Sequence, residues 1–142
     1  MTIVELIQDA SAAWDREIPA PEEAVARLIT ESGLELPEDY LSFLRKSNGG
    51  EGELGVQPCW FQIWRAEDVI EFGVGYEVPK YASGFFAFGS NGGGEILAFD
   101  TRSGTPWTIA ALPCIGLNPD EAMLVASSFK EFVAQMGRVY QE

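Results

Sequence analysis

Apolar residues in the first third of the chain return every three to four positions, the spacing of a buried helix face. Ile3, Leu6, Ile7, Ala10 and Trp14 fit one such face and predict a helix over residues 2–13. Thr2 and Glu5 supply its capping box, each side chain answering a free backbone N–H of the other. Pro19 and Pro21 end this helix and open a second, with Pro21 in the first turn. Glu22 and Glu23 then sit at its positive end, Val25, Leu28 and Ile29 form its buried stripe, and Gly33 supplies a left-handed cap. A third helix starts at Pro37, carries Glu38 and Asp39 in its first turn and Arg45 and Lys46 in its last, and turns Tyr40, Leu41, Phe43 and Leu44 inward. Asn48-Gly49-Gly50 stops it.

Beyond Gly50 the period changes. Cys59-Trp60-Phe61-Gln62-Ile63-Trp64 is aromatic and β-branched, which predicts a strand. Glu67 to Phe72 reads as a short helix ended by Gly73, and Val74 to Ser83 as loop. The apolar runs 84–88 and 95–99 flank Gly89-Ser90-Asn91-Gly92-Gly93-Gly94, and Asn-Gly accepts the positive φ that hairpin turns demand. After a second turn at residues 100–104, Trp107 to Leu112 makes a third strand of an antiparallel meander. Asn118-Pro119-Asp120-Glu121 and the Ser128/Glu131 capping box return the chain to helix, with Phe129, Phe132, Val133 and Met136 at helical spacing. Whether this is one bent helix or two stays open. Helices first, strands in the middle and a helix last predict an α+β fold, helices packed around a central, largely antiparallel sheet, in a single domain over residues 1–142.

Composition narrows the function. The 142 residues suit one domain, and 46% hydrophobic against 22% charged is globular rather than disordered. Nine Lys+Arg against 22 Asp+Glu leave a net charge of −13, which repels phosphate backbones and argues against nucleic-acid or anionic-membrane binding. The absence of histidine excludes Ser-His-Asp and Cys-His nucleophile systems and every His-bearing metal site. Glu5 and Asp9 interrupt the pattern of a secretory leader, and apolar runs such as Ile109 to Leu112 are far too short for a membrane span. A cytoplasmic location is therefore expected, with Cys59 and Cys114 free thiols acting as small buried hydrophobes.

The remaining motifs favour structure over chemistry. Gly89 to Gly94 precedes a strand and has no lysine nearby, so it reads as a hairpin turn rather than a phosphate cradle. Glu51 and Glu53 lack the alternating oxygen ligands of a calcium loop and read as a solvated acidic loop. Glu22-Glu23, Glu38-Asp39 and Glu67-Asp68 each stand at a predicted helix start, where the dipole accounts for them. Trp60 and Trp64 would share a strand face; core is the commoner fate, while a partly exposed pair would anchor an interface. No catalytic residue, metal ligand or cofactor is expected.

Three blocks of residues resemble one family. Leu36-Pro37-Glu38-Asp39-Tyr40, Phe43-Leu44 and Asn48-Gly49-Gly50 look like the N-terminal motif of the SUKH superfamily, which includes the domain of the yeast cell-wall-assembly regulator. Phe88-Gly89-Ser90-Asn91-Gly92-Gly93-Gly94-Glu95 with Phe99-Asp100, and Ser127-Ser128-Phe129-Lys130-Glu131-Phe132-Val133, resemble its later blocks, so that the likeness spans about residues 22–135. It implies an α+β fold in which Leu36, Pro37, Tyr40, Phe43, Asn48, Gly49, Gly50, Gly92, Gly94 and Phe129 are structural. Many bacterial members resemble immunity proteins that bind and block a toxin, often a nuclease; eukaryotic members look like interaction scaffolds, and neither group brings a catalytic constellation. The implied function is thus a non-catalytic immunity protein for a basic toxin domain, the alternative an intracellular regulatory or scaffold module. The acids of residues 1–40, opposed only by Arg16 and Arg27, suit a basic partner. The candidate contact set is Glu51, Glu53, Trp60, Trp64, Asn91 and Glu95.

Overall fold

In the computed structural model, which describes residues 1–142, the three N-terminal start signals each begin a helix. Helix α1 covers Ile3–Gln8 and carries both halves of the Thr2/Glu5 capping box. It stops five residues earlier than its apolar spacing predicts. The Asp9 carboxylate binds the Ser11 N–H at 2.9 Å and the Ser11 hydroxyl at 2.7 Å, a local turn that competes with helical bonding. The chain reverses there, and Trp14, expected on the helix face, enters strand β1 (Trp14–Arg16) and stacks on Phe43 at 5.8 Å.

Helix α2 (Glu22–Ser32) has Pro21 at its N-cap, one position earlier than expected, and ends on Gly33 with φ 65°. Val25 and Leu28 are buried, but Ile29 is 37% exposed and lies outside the stripe assigned to it. Helix α3 (Glu38–Lys46) follows its pattern throughout: Pro37 caps it and Tyr40, Leu41, Phe43 and Leu44 are buried.

Seven antiparallel strands then pair in chain order: β1, β2 (Gly50–Glu53), β3 (Trp60–Ile63), β4 (Phe85–Ser90), β5 (Glu95–Asp100), β6 (Thr108–Pro113) and β7 (Met123–Ala126). The predicted hairpin and third strand are β4, β5 and β6. The acidic stretch expected to be loop is β2, correcting that reading. Its alternation is glycine inward and glutamate outward: a Cβ on Gly50 or Gly52 would come within 2.6 Å of Trp14. The missing side chains make room for an aromatic ring, so the strand carries no hydrophobic signal of its own. Strand β7 also replaces an expected helix, because the Asn118-capped turn at Pro119–Glu121 ends after one turn and Ala122 is extended.

Helix α4 (Val69–Gly75) starts later than predicted and runs through Gly73, and α5 (Val78–Tyr81) occupies the segment expected to be loop. Both pack on β4, while α6 (Phe129–Ala134) joins α1 and α3. Ser128 caps α6, but Glu131 bonds the Ser127 hydroxyl instead of closing the expected box. The core forms where α3 and α6 meet the sheet: the Tyr40 ring lies 5.3–5.8 Å from Phe88, Phe99 and Phe129. Its hydroxyl is buried with no hydrogen-bond partner, and burial pushes the phenol far above its ordinary pKa.

Candidate functional site: the outer face of the β1–β3 edge

Pairing register decides which side chains share the solvent face. Asp15 stands opposite Glu51, Glu51 opposite Gln62, Glu53 opposite Trp60, and Gln62 opposite Ser90. Directly opposed residues project to the same side of a sheet, so Asp15, Glu51, Glu53, Trp60 and Gln62 form one surface, with Ser90 buried at its margin. It is wired by polar contacts. The Trp60 indole N–H donates to Glu51 Oε2 at 3.0 Å and Gln62 Nε2 donates to the same oxygen at 2.8 Å. The Ser90 hydroxyl donates to Gln62 Oε1 at 3.2 Å. Both donors to Glu51 are neutral; the Gln62 bond, then the Trp60 bond, hold its carboxyl below the usual range and fix its charge outward.

No cation neutralises this face. Arg16 spends its guanidinium on the carbonyls of Ile7 (2.7 Å), Trp14 (2.9 Å) and Asp9 (3.1 Å) and lies 4.2 Å over the Trp14 ring. Asp15 and Glu51 therefore face each other as like charges on neighbouring strands, an arrangement that costs stability. Beside them a shallow depression of about 600 Å³ is lined by Ala12, Asp15, Arg16, Glu51, Glu53 and Trp60, among others.

The candidate set divides. Glu51, Glu53 and Trp60 come together here, Trp60 with 38% of its surface exposed. Trp64 does not: the chain leaves the strand after Ile63, and Trp64 is 8% exposed, stacked on Tyr76 at 5.8 Å and edge-on to Phe72 at 5.3 Å. Asn91 and Glu95 latch the hairpin to itself: Asn91 Oδ1 accepts the N–H groups of Gly93 and Glu95, and Asn91 Nδ2 donates to Glu95 Oε1 at 3.3 Å. Gly92, with φ 73°, lays the hairpin tip against Gln62 and Trp60. Cys59, expected to be buried, is exposed at a positive φ of 74°, and Cys114 is half-buried. Asp15, Gln62 and Ser90 were missed; the alternation of Gln62 with its neighbours is the one signal that could have found any of them.

The motif residues build the frame behind this face. Asn48 is buried; its Oδ1 accepts the Ala66 N–H and its Nδ2 donates to Glu67, each at 2.8 Å, tying the end of α3 to the segment before α4. Asn48, not a helix dipole, is thus the main partner of Glu67 and holds its carboxyl below the usual range; Arg102 does the same for Asp100. Carboxyls depressed in the folded state favour folding above their unfolded pKa, and that contribution fades as pH falls through the folded value. With no histidine to titrate, the melting temperature is expected to stay flat from about pH 6 to 8 and to drop below about pH 4.5. A melting series in buffers across that range checks it; a step between pH 6 and 8 contradicts it.

No group of three or more Cys, Asp or Glu side chains is placed to hold a metal ion, and no helix is long and apolar enough to cross a membrane. Helices packed on the inner face of a seven-stranded antiparallel sheet define an α+β domain. The chain belongs to the SMI1/KNR4 family (SUKH-1), whose profile matches residues 19–135. That family is made up in general of non-catalytic immunity or interaction domains. No curated protein matches the chain.

Proposed function

We propose that this protein is an immunity protein that binds and neutralises a basic toxin domain of the nuclease type, acting in the cytoplasm without cofactor or catalysis. The observation that carries the reading is the carboxylate surface of Asp15, Glu51 and Glu53, none of them ion-paired, with the partly exposed Trp60 beside it. Of the 22 acids, seven lie within 4 Å of a cation and fifteen do not. A nuclease domain that binds polyphosphate is basic, so an acidic face can occupy its substrate surface and accelerate the encounter. The opposed Asp15 and Glu51 gain a counter-charge in the complex, and Trp60 is the residue type that anchors interfaces. Family membership supports protein binding in general, and the charge supports this partner class.

The test is co-expression with a toxin domain encoded beside the gene. Cells are expected to survive only when this protein is present, and the two chains to co-purify at low salt. If the toxin kills equally well with and without it and nothing co-purifies, the immunity reading falls and a regulatory or scaffold role in the same family takes its place.

A further inference from the structure

The glycine-rich turn between β4 and β5 is joined to the acidic face by one continuous chain of hydrogen bonds. The Gly92 N–H donates to Ser90 Oγ at 3.2 Å, the Ser90 hydroxyl donates to Gln62 Oε1 at 3.2 Å, and Gln62 Nε2 donates to Glu51 Oε2 at 2.8 Å. Chemistry fixes the direction from both ends, since a main-chain N–H only donates and a carboxylate only accepts. Each bond therefore polarises the next, and all of them point their positive ends toward Glu51. Asn91 holds the turn where the chain starts, its Oδ1 accepting the N–H groups of Gly93 and Glu95, each at 3.0 Å. Ser90 is buried, with its hydroxyl engaged on both sides.

This chain holds Glu51 where charge alone would not. Asp15 stands directly opposite, and like charges at opposed positions repel. Arg16 has its guanidinium committed to three main-chain carbonyls. Stability alone would let the Glu51 side chain swing away from Asp15. A local conflict that the surrounding frame keeps in place is the kind found at functional sites. The bonds from Gln62 and Trp60 both end on Oε2, which leaves Oε1 for a donor from outside. Of the three carboxylates on this face, only Glu51 is oriented by side-chain hydrogen bonds.

We propose that Ser90 and Gln62 are positioning residues of the partner-binding face, which carry the fixed geometry of the Asn91-Gly92 turn to Glu51 and keep its Oε1 in place for a cationic donor on the partner. Asp15 and Glu53 speed the encounter, and Glu51 also contributes to the closed contact. The inference rests on the reading of this face as the toxin-binding surface.

Two variants test it. Gln62→Met keeps the length of the side chain and removes the amide, while Ser90→Ala breaks the chain one bond earlier, at a residue that does not bond Glu51. The titration of the Glu51 carboxyl carbon is followed by NMR in the free protein, with Asp100, held by Arg102, as internal reference. The Gln62 bond is the larger of the two that hold the Glu51 carboxyl below its usual range. Both variants are therefore expected to raise its midpoint, Gln62→Met more than Ser90→Ala, with Asp100 unmoved, and Ser90→Thr to restore it. A merely structural role would lower the melting temperature and leave this titration where it is. Against the toxin domain encoded beside the gene, Gln62→Met is expected to speed dissociation roughly three- to tenfold, the contribution of one hydrogen bond, with an unchanged on-rate because no charge is altered. Should that variant fail to fold, Ser90→Ala and its threonine rescue supply the same readouts. A Glu51 midpoint unmoved in both variants overturns the proposal whatever the partner. So does unchanged dissociation when the triple reversal of Asp15, Glu51 and Glu53 to lysine still slows association, an outcome that leaves the acidic-face reading standing. If the triple reversal is also without effect, that reading falls and the proposal with it.

Discussion

Reversing Asp15, Glu51 and Glu53 together to lysine is expected to slow association with the toxin domain by about two orders of magnitude, within the range over which steering changes encounter rates. The three carboxylates share one solvent face of β1 and β2 and form no ion pair, so no neighbouring side chain cancels their field. The fold should survive, since the substitutions also remove the opposed like charges of Asp15 and Glu51. Dissociation should change far less, because screening and charge reversal act on the approach more than on the closed contact. Trp60→Ala is the complement. It removes a ring 38% exposed beside the carboxylates and is expected to cost about 2 kcal/mol or more, mainly as faster dissociation. Stopped-flow association and dissociation rates at low and high salt separate the two. An on-rate insensitive both to salt and to the triple reversal means that this face is not where the partner lands.

The second large effect is on stability, and the same substitution is expected to take opposite signs at two glycines. Gly49→Ala places a Cβ 2.5 Å from the Ile63 carbonyl oxygen at a residue held at φ 99°. Both the backbone strain and the clash with an immovable main-chain atom oppose it, and together they are expected to destabilise by about 3 kcal/mol or more. Gly73→Ala lies inside α4, where nothing comes within 4 Å of the new Cβ and φ is not positive. There alanine restricts the unfolded chain and favours the helix, for an expected gain of about 0.5–1 kcal/mol. Urea unfolding of both variants against the parent checks the pair. Equal effects would mean that the close approach of Gly49 to β3 is relieved at no cost.

Glycine is also where the sequence was hardest to read. Trp14 and the Gly50-Glu51-Gly52-Glu53 run each lack meaning alone: one looks like the last residue of a helix, the other like an acidic loop. Set side by side, the Trp14 ring fills the space at Gly50 and its Cβ the space at Gly52, and both segments become strands. Trp60 and Trp64 illustrate the same limit from the other side. Spacing put them on one face, but the chain turns out of the sheet after Ile63, so one faces solvent and the other packs on Tyr76.

What the sequence determined by itself is what local chemistry controls. Capping side chains, proline starts, left-handed glycines and the apolar period of α3 act within a few residues of one another, and so they placed α2, α3, the β4–β5 hairpin and the cap of α6. Charge and the missing histidine are likewise sums over the chain, and they set its net charge of −13 and the histidine chemistry excluded. Tertiary structure alone decided β1, β2 and β7, the separation of the two tryptophans, and the union of Asp15 with Glu51, Glu53 and Trp60. Those outcomes depend on register between strands up to about forty residues apart, and register follows from which side chains the opposite layer can bury, a property that no single segment carries.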